Sequence, residues 1–440
     1  MAVRNVKIGL VGFGTVGTGV ARILLQDGDL IAAKMGVRLE LARVVDVDTQ
    51  SEREIALPDG VLSDNLDALL SDESLEIVVE AVGGTTVARE IQLRILRAGK
   101  HVVTANKALL AEHGNELFSV ARENKRCIAF EASCAGGIPI VSSIRTGLAA
   151  NDIREIYGIV NGTCNYVLSK MTAEGSAFAD VLAEAQAKGY AEADPTLDIN
   201  GHDSAHKLAI LASIALGYDI SLKDIFIEGI EGIQQDDIRY GGEMGYCLKL
   251  LAIGDKNEDG HISLRVHPSF IAEDSALARV DGPFNAISIF GGSVGQVMFY
   301  GRGADMMPTA SAVVADIIDV ALGNSTTTFQ HLHLRSRAEV EPLIESIDDC
   351  RSRFYIRVMA QDTPGVVASY GRILGDHGIS ISGALQHEGS GPENTVPVVI
   401  VTHTTQEKNI RAALRDLAKL DIINGEPVCI RIVDIPEDRD

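Results

Sequence analysis

From its first residues the chain alternates short apolar runs with stretches of helical period. Residues 6–11, 39–45, 77–79, 101–104 and 127–130 are runs of β-type residues bounded by turn or helix signals. Between them a helical stretch runs to residue 25, and Val87, Ile91 and Ile95 recur at the four-residue spacing of a buried helix face. Strands alternating with helices predict βαβ units and a parallel sheet, the Rossmann-type doubly wound arrangement of an α/β fold. From about residue 131 to 307 the pattern changes. Long helical patterns at 177–188 and 202–216 give way to Gly-rich alternating segments at 285–290 and 295–300, which predicts an α+β domain with an antiparallel or mixed sheet. Residues 308–322 return to a helix, and the polar stretch 324–328 reads as the start of a linker. In the last 90 residues, strand, helix, strand, strand, helix and strand patterns follow in turn, and βαββαβ is the ferredoxin-like order.

These patterns divide the chain into an α/β domain over 1–130, completed by 308–323, an α+β domain over 131–307, a linker over 324–350 and a small C-terminal domain over 351–435. A length of 440 residues fits about three domains. With 39 basic and 61 acidic residues the net charge is −22, which repels phosphate backbones and excludes general nucleic-acid binding. No apolar run approaches the ~18 residues of a membrane span, and no cleavage site follows the amino terminus. The six cysteines form no CxxC pair, which suits reduced thiols. The expectation is a cytoplasmic protein acting on a small molecule, with neither nucleic acid nor membrane as partner.

Gly12-Phe13-Gly14-Thr15-Val16-Gly17 matches GxGxxG at the first strand–helix turn. In such a turn the glycines permit the tight bend, the approach of a pyrophosphate to backbone amides, and close helix–strand packing. Asp46 closes the second run, where a carboxylate meets the adenosine ribose, and this leans the cofactor toward NAD. Thr104-Ala105-Asn106-Lys107 follows the fourth run, at the edge where open α/β sheets bind ligands. Asp203 and Lys207 share one face of a helix that Leu208, Ile210, Leu211 and Ile214 make apolar nearly all round, and a buried helix does not keep such a pair without a purpose. His202 and His206 approximate the HExxH zinc pattern, but Asp203 stands at the position of its Glu and no third ligand is near. Asn161-Gly162-Thr163 reads either as a loop holding a polar substrate or as a helix cap. The glycine-rich turn from Glu131 to Pro139 reads either as a hinge or as a set of carbonyls facing a cation.

Taken in order, GFGTVG, TANKA, EASCAGGIP, GIVNGTCNYVLSKM, GYAEADPTLDINGHDSAHK and PTASAVVADI resemble the motifs of homoserine dehydrogenase. The tail, with Asp362-Thr363-Pro364-Gly365-Val366 and ISISGALQ, resembles an ACT regulatory domain. The resemblance implies NAD(P)-dependent interconversion of L-aspartate 4-semialdehyde and L-homoserine, on the route to threonine and methionine. It makes Lys207 the proton donor and acceptor, Lys107 a second lysine at the site, and Glu192 and Asp203 the holders of the substrate ammonium. Efficient exchange asks a lysine pKa of about 10.4 to fall, which burial and a second lysine favour. It also implies substrate contacts from Asn161, Gly162, Thr163 and Tyr190. Cofactor contacts are implied for Gly12, Phe13, Gly14, Thr15, Val16, Gly17, Val45, Asp46, Thr104, Asn106, Lys107, Gly189 and Gly303. A monovalent cation, Na+, would lie on the carbonyls of Glu131, Cys134, Gly136 and Ile138, which turns the reading of that segment from hinge to cation site.

Two positions depart from the family. Val45 stands where many members carry an Arg suited to a 2′-phosphate, so both NAD and NADP are in play. Asp305 stands where a glycine is usual, and an acid there is expected to point away from the cofactor. In the ACT tail, Asp362, Pro364, Gly365 and Val366 are the expected contacts of an amino-acid effector, with threonine as the natural inhibitor. A homodimer or homotetramer is expected.

Overall fold

The computed structural model describes residues 4–331, 340–387 and 395–436. Part of the expected linker, 332–339, and the 388–394 part of the expected C-terminal domain lie outside the described residues. The chain divides into two compact units.

The first unit comprises Met1–Ile156, Asp203–Asp224 and Phe284–Pro342. At its centre is a six-stranded parallel sheet of β1 (Arg4–Val11), β2 (Val37–Val45), β3 (Leu62–Ser63), β4 (Leu75–Glu80), β5 (His101–Thr104) and β6 (Ile128–Ala129), in the order β3-β2-β1-β4-β5-β6. Val6, Ile8 and Leu10 of β1 and Ile77, Val78 and Val79 of β4 are buried, as expected of parallel strands covered on both faces. The register aligns Val11 with Val45 and with Glu80, and Glu80 with Thr104. The carboxyl ends of four strands therefore form one edge, with the order reversing beside β1, and that is where such sheets take their ligands. The helix Met306–Ala321 lies close on the helix Thr15–Gln26: a Cβ at Gly19 would come within 2.9 Å of the Ala310 Cβ. Phe284–Gly291 and Gly295–Arg302 pair as an antiparallel hairpin. The stretch 324–328, read from its polarity as a linker start, is instead the beginning of a helix, Asn324–His331, whose Phe329 is buried. Its run of Thr and Ser hid that single apolar anchor.

The second unit comprises Tyr157–His202, Ile225–Pro283 and Leu343–Asp440. Its main sheet is mixed. Tyr246–Lys256 pairs antiparallel with Ile262–Ala272, which pairs parallel with Val428–Ile432. Arg351–Gln361, Thr395–Thr402 and Ile381–Gln386 then follow, all antiparallel. The last four are the ferredoxin-like strands, and the helices Val366–Asp376 and Glu407–Leu417 share their core of Phe354, Ile356, Tyr370, Leu374, Ile400 and Ile410. The tail thus keeps a core of its own within this unit. Its last strand joins the strand Ile262–Ala272 at Ser269–Arg431 and Phe270–Ile432, a long-range pairing that periodicity cannot reveal.

Candidate active site

The helix Lys107–Glu123 starts directly past the carboxyl end of β5, and Asn106 caps it by accepting the Leu109 amide at 3.1 Å. This fixes Lys107 at the sheet edge. The helix His202–Leu216 brings Asp203 and Lys207, both buried, onto one face. One oxygen of Asp203 takes the Lys207 ammonium at 2.7 Å and the other takes Lys107 at 2.9 Å. Burial works against the charge on Asp203, but the two ammonium groups, Lys207 ahead of Lys107, more than offset it and hold the carboxyl below the usual carboxylate range. Lys107 is the exposed end of the cluster, with 40% of its side chain open to solvent. Two cations on one anion leave a net positive centre, suited to an oxygen that gains negative charge.

The glycine loop has the shape of a dinucleotide cradle. Gly12 has φ +94°, and a Cβ there would lie 2.6 Å from the Ala81 carbonyl. A Cβ at Gly17 would lie 2.1 Å from the Gly12 oxygen, whereas a Cβ at Gly14 would meet open space. No side chain caps the helix Thr15–Gln26, so the space beside Gly14 adjoins amides suited to a pyrophosphate. Asp46 follows β2 and accepts the backbone amides of Phe13 and Asp48, while Val45 is buried beneath it. Arg53 lies 5.9 Å from the centre of the Phe13 ring and pairs with Asp48 at 3.2 Å.

Glu80, at the carboxyl end of β4, escaped the sequence reading. Fully buried, it accepts the amides of Val82 and Gly83, the Gln92 amide group and the Thr104 hydroxyl. Thr104 in turn accepts the Asn106 amide at 3.0 Å, and Asn106 donates to the Gly84 carbonyl. Thr104 and Asn106 therefore act on the site through backbone they hold. The signal was present as a lone acid ending an apolar run.

The turn after β6 carries Glu131, Cys134, Gly136 and Ile138. The Glu131 carboxylate takes the Val141 and Ser142 amides at 2.8 Å each, and its carbonyl accepts the Cys134 amide at 3.3 Å. Ala135 and Gly136 both have positive φ, and a Cβ at Gly136 would meet the Gly303 carbonyl at 2.6 Å. Burial pushes the Cys134 thiol up to about 12, and its sulfur lies 4.0 Å from the Lys207 carbonyl. Asp316 accepts the Glu131 amide at 2.7 Å; burial, then the nearby Glu131, hold its carboxyl well above the usual range. Asp305 caps the helix Met306–Ala321 through the Met306 amide at φ +110°. Gly303 lies against the buried Asn285 amide, which leaves no room for a side chain.

In the second unit, Asn161 caps the helix Gly162–Glu174 through the Cys164 amide and also donates to Asp198 at 2.7 Å. The Thr163 hydroxyl bonds the Tyr190 carbonyl and Asp198. The helix-cap reading of that segment thus holds for Asn161, whose side chain also joins a polar cluster with Asp198. Asp198, assigned no role from sequence, ties the loop together. The Tyr190 ring lies tilted against that of Tyr166 with centroids 4.9 Å apart, Gly189 bends the chain with φ +75°, and Glu192 is exposed. Asp362 to Val366 form the loop between the first ferredoxin-like strand and its helix, with Gly365 at φ +95°. Among the described residues no three His, Cys, Asp or Glu side chains are grouped to hold a metal ion, His202 and His206 included. Nor is any single described helix long and apolar enough to cross a membrane.

Comparison with known families matches residues 12–131 to the homoserine dehydrogenase NAD-binding domain, residues 139–318 to homoserine dehydrogenase and residues 354–421 to the ACT domain. The homoserine dehydrogenase of Neisseria gonorrhoeae is 42% identical over 98% of this chain and 99% of its own length. The crystal structure of a homoserine dehydrogenase from Thiobacillus denitrificans superposes with a TM-score of 0.89 at 40% identity, covering 98% of this chain and 99% of that one. A hyperthermophilic archaeal homoserine dehydrogenase mutant in complex with NADPH matches with a TM-score of 0.59 at 27% identity, over 72% of this chain and 98% of that one. The chain belongs to the homoserine dehydrogenase family, as an NAD(P)-dependent oxidoreductase with a C-terminal ACT domain.

Proposed function

We propose that the chain interconverts L-aspartate 4-semialdehyde and L-homoserine, with Lys207 moving the proton, and that threonine restrains it through the ACT domain. The observation that carries this reading is the buried Asp203 holding Lys107 and Lys207 at the carboxyl edge of the sheet. The nicotinamide, when bound, supplies or accepts the hydride. In the reducing direction the Lys207 ammonium gives its proton to the oxygen that becomes the hydroxyl, and in the oxidising direction the same nitrogen takes it back. Lys107 adds positive charge beside that oxygen. Asp203 positions the two lysines, and it and Glu192 are the carboxylates offered to the substrate ammonium. Asn161, Gly162, Thr163 and Tyr190 shape the loop that receives the substrate.

The dinucleotide is assigned to the cradle of Gly12 to Gly17 with Thr104, Asn106 and Gly303, and NAD is preferred over NADP. The acid at Asp46 and the buried Val45 offer a 2′-phosphate no cation of the kind common in the family. Na+ fits the carbonyls of Glu131, Cys134, Gly136 and Ile138, a set of hard oxygen donors, and would supply a fixed charge that braces the turn. Threonine binds the Asp362–Val366 loop. The free state of all six cysteines supports a cytoplasmic location. Ile381–Gln386 ends the described sheet as an edge strand, which supports assembly into a homodimer or homotetramer.

The test is homoserine added with NAD or NADP, each with and without threonine, while reduced nicotinamide is followed by absorbance. Turnover faster with NAD and slowed by threonine is expected. A folded protein silent with both cofactors would overturn the reading, and a rate indifferent to threonine would remove its regulatory part.

A further inference from the structure

In the second unit, one chain of contacts runs from the last ACT strand to the loop around Asp198. Arg431, on Val428–Ile432, is 7% exposed and holds Glu407 of the second ACT helix through two nitrogens. Its remaining terminal nitrogen reaches Glu228 at 2.7 Å, outside the ACT domain. The Phe226 ring fixes the guanidinium from 5.0 Å. Glu228 is itself pinned, since its amide donates to the Val266 carbonyl at 2.8 Å. The next residue, Gly229, has no space for a side chain: a Cβ would lie 2.2 Å from the Ile199 carbonyl and 2.5 Å from the Asn200 Cα. Ile230 then donates to that Ile199 carbonyl at 2.8 Å. Ile199 follows Asp198, whose carboxylate holds Asn161 and Thr163.

We propose that Arg431 of the ACT domain is a positioning residue for the substrate loop, acting through Glu228 and the backbone contact of Gly229 and Ile230 with Ile199 on the placement of Asp198. This rests on the reading of residues 161–163 as the substrate loop. Two rigid features make the path physical. The guanidinium is bound on three sides by two carboxylates and a ring, so it cannot turn independently of the ACT core. The contact at Gly229 is backbone on backbone, so a shift of Glu228 is passed to residues 199–200 rather than absorbed by a flexible side chain. ACT occupancy and substrate affinity are thereby coupled in the same direction for either ligand.

Glu228, 42% exposed on its side chain, is the link to cut, because replacing Arg431 would also take from the buried Glu407 its two-nitrogen partner and leave it Arg411 at 3.2 Å. In the full chain, E228A should raise the homoserine KM roughly three- to tenfold, the scale of a coupling carried through intermediates. The KM for NAD, kcat and the melting temperature should stay near their parent values. E228Q keeps an acceptor for Arg431 and should recover most of the homoserine KM. D198N, which strikes the loop itself, is the reference. If D198N raises the homoserine KM and E228A does not, the relay is wrong while the loop reading stands. If neither changes it, the loop reading fails and the relay with it. A melting temperature that falls with both KM values rising together, and that E228Q does not restore, would show a merely structural ion pair and overturn the proposal.

Discussion

Replacing Asp203 by Asn keeps the shape of the side chain and removes the one anion between two ammonium groups. At 2.7 and 2.9 Å the two contacts are direct ion pairs. With an effective dielectric constant of about 20, a unit pair near 3 Å has a gross attraction of about 5 kcal/mol. Desolvation consumes much of that, and the partly exposed Lys107 adds little, since solvent screens it. The larger loss comes from the buried Lys207, which loses the charge of Asp203 beside it, and about 3 kcal/mol is the expected scale. If half to all of this falls on the geometry that meets the reacting oxygen, kcat/KM for homoserine drops by about one to two orders of magnitude. The assay is the initial rate of nicotinamide reduction at several homoserine concentrations, beside dinucleotide affinity by fluorescence and a thermal melt. D203N should lose kcat/KM while keeping dinucleotide affinity, and D203E, which retains the charge, should keep more rate than D203N. A D203N protein within threefold of the parent would refute the placement of this carboxylate at the reaction centre.

Asp305 sits at φ +110°, a backbone region that costs a non-glycine residue about 1–3 kcal/mol, whereas exchanging an Asp cap for Gly costs a few tenths. D305G should therefore be more stable by about 1 kcal/mol in denaturant unfolding, and a loss of stability would show that the cap outweighs the strain. Asp316 has its carboxyl held well above the ordinary range, so the folded state keeps a proton that the unfolded state releases. That stability is present below about pH 4 and is lost as pH rises toward the folded value, at up to about 1.4 kcal/mol per unit. D316N, which still accepts the Glu131 amide, should gain on the parent as pH rises above about 4, and parallel stability curves would contradict this. V45R should shift the ratio of NADP to NAD turnover at least severalfold toward NADP, and an unchanged ratio would mean that another group selects the cofactor.

The parallel sheet was legible because each of its longer strands is a compact apolar run, and the glycine loop fell at the first of them. The pairing of Asp203 with Lys207 was equally legible, since i,i+4 spacing on a helix is local. Lys107 joins them across about a hundred residues of sequence, and only the resemblance to a family could bring it there before the fold did. Glu80 and Asp198 were missed for a common reason: each acts by holding backbone and small polar groups of other segments, so its meaning lies in partners that no spacing rule connects. The helix at Asn324–His331 was hidden by its polar residues, and the joining of the ACT strand to Ile262–Ala272 by its parallel, non-local pairing. Local periodicity carries elements, while non-local pairing decides how they form units.

The central claim is that Lys207 moves the proton, and K207A tests it most directly. The variant should bind NAD with the affinity of the parent and lose homoserine-dependent reduction by at least about two orders of magnitude, the scale of a general acid–base group. Turnover within tenfold of the parent, from a protein whose dinucleotide binding is intact, would contradict the account.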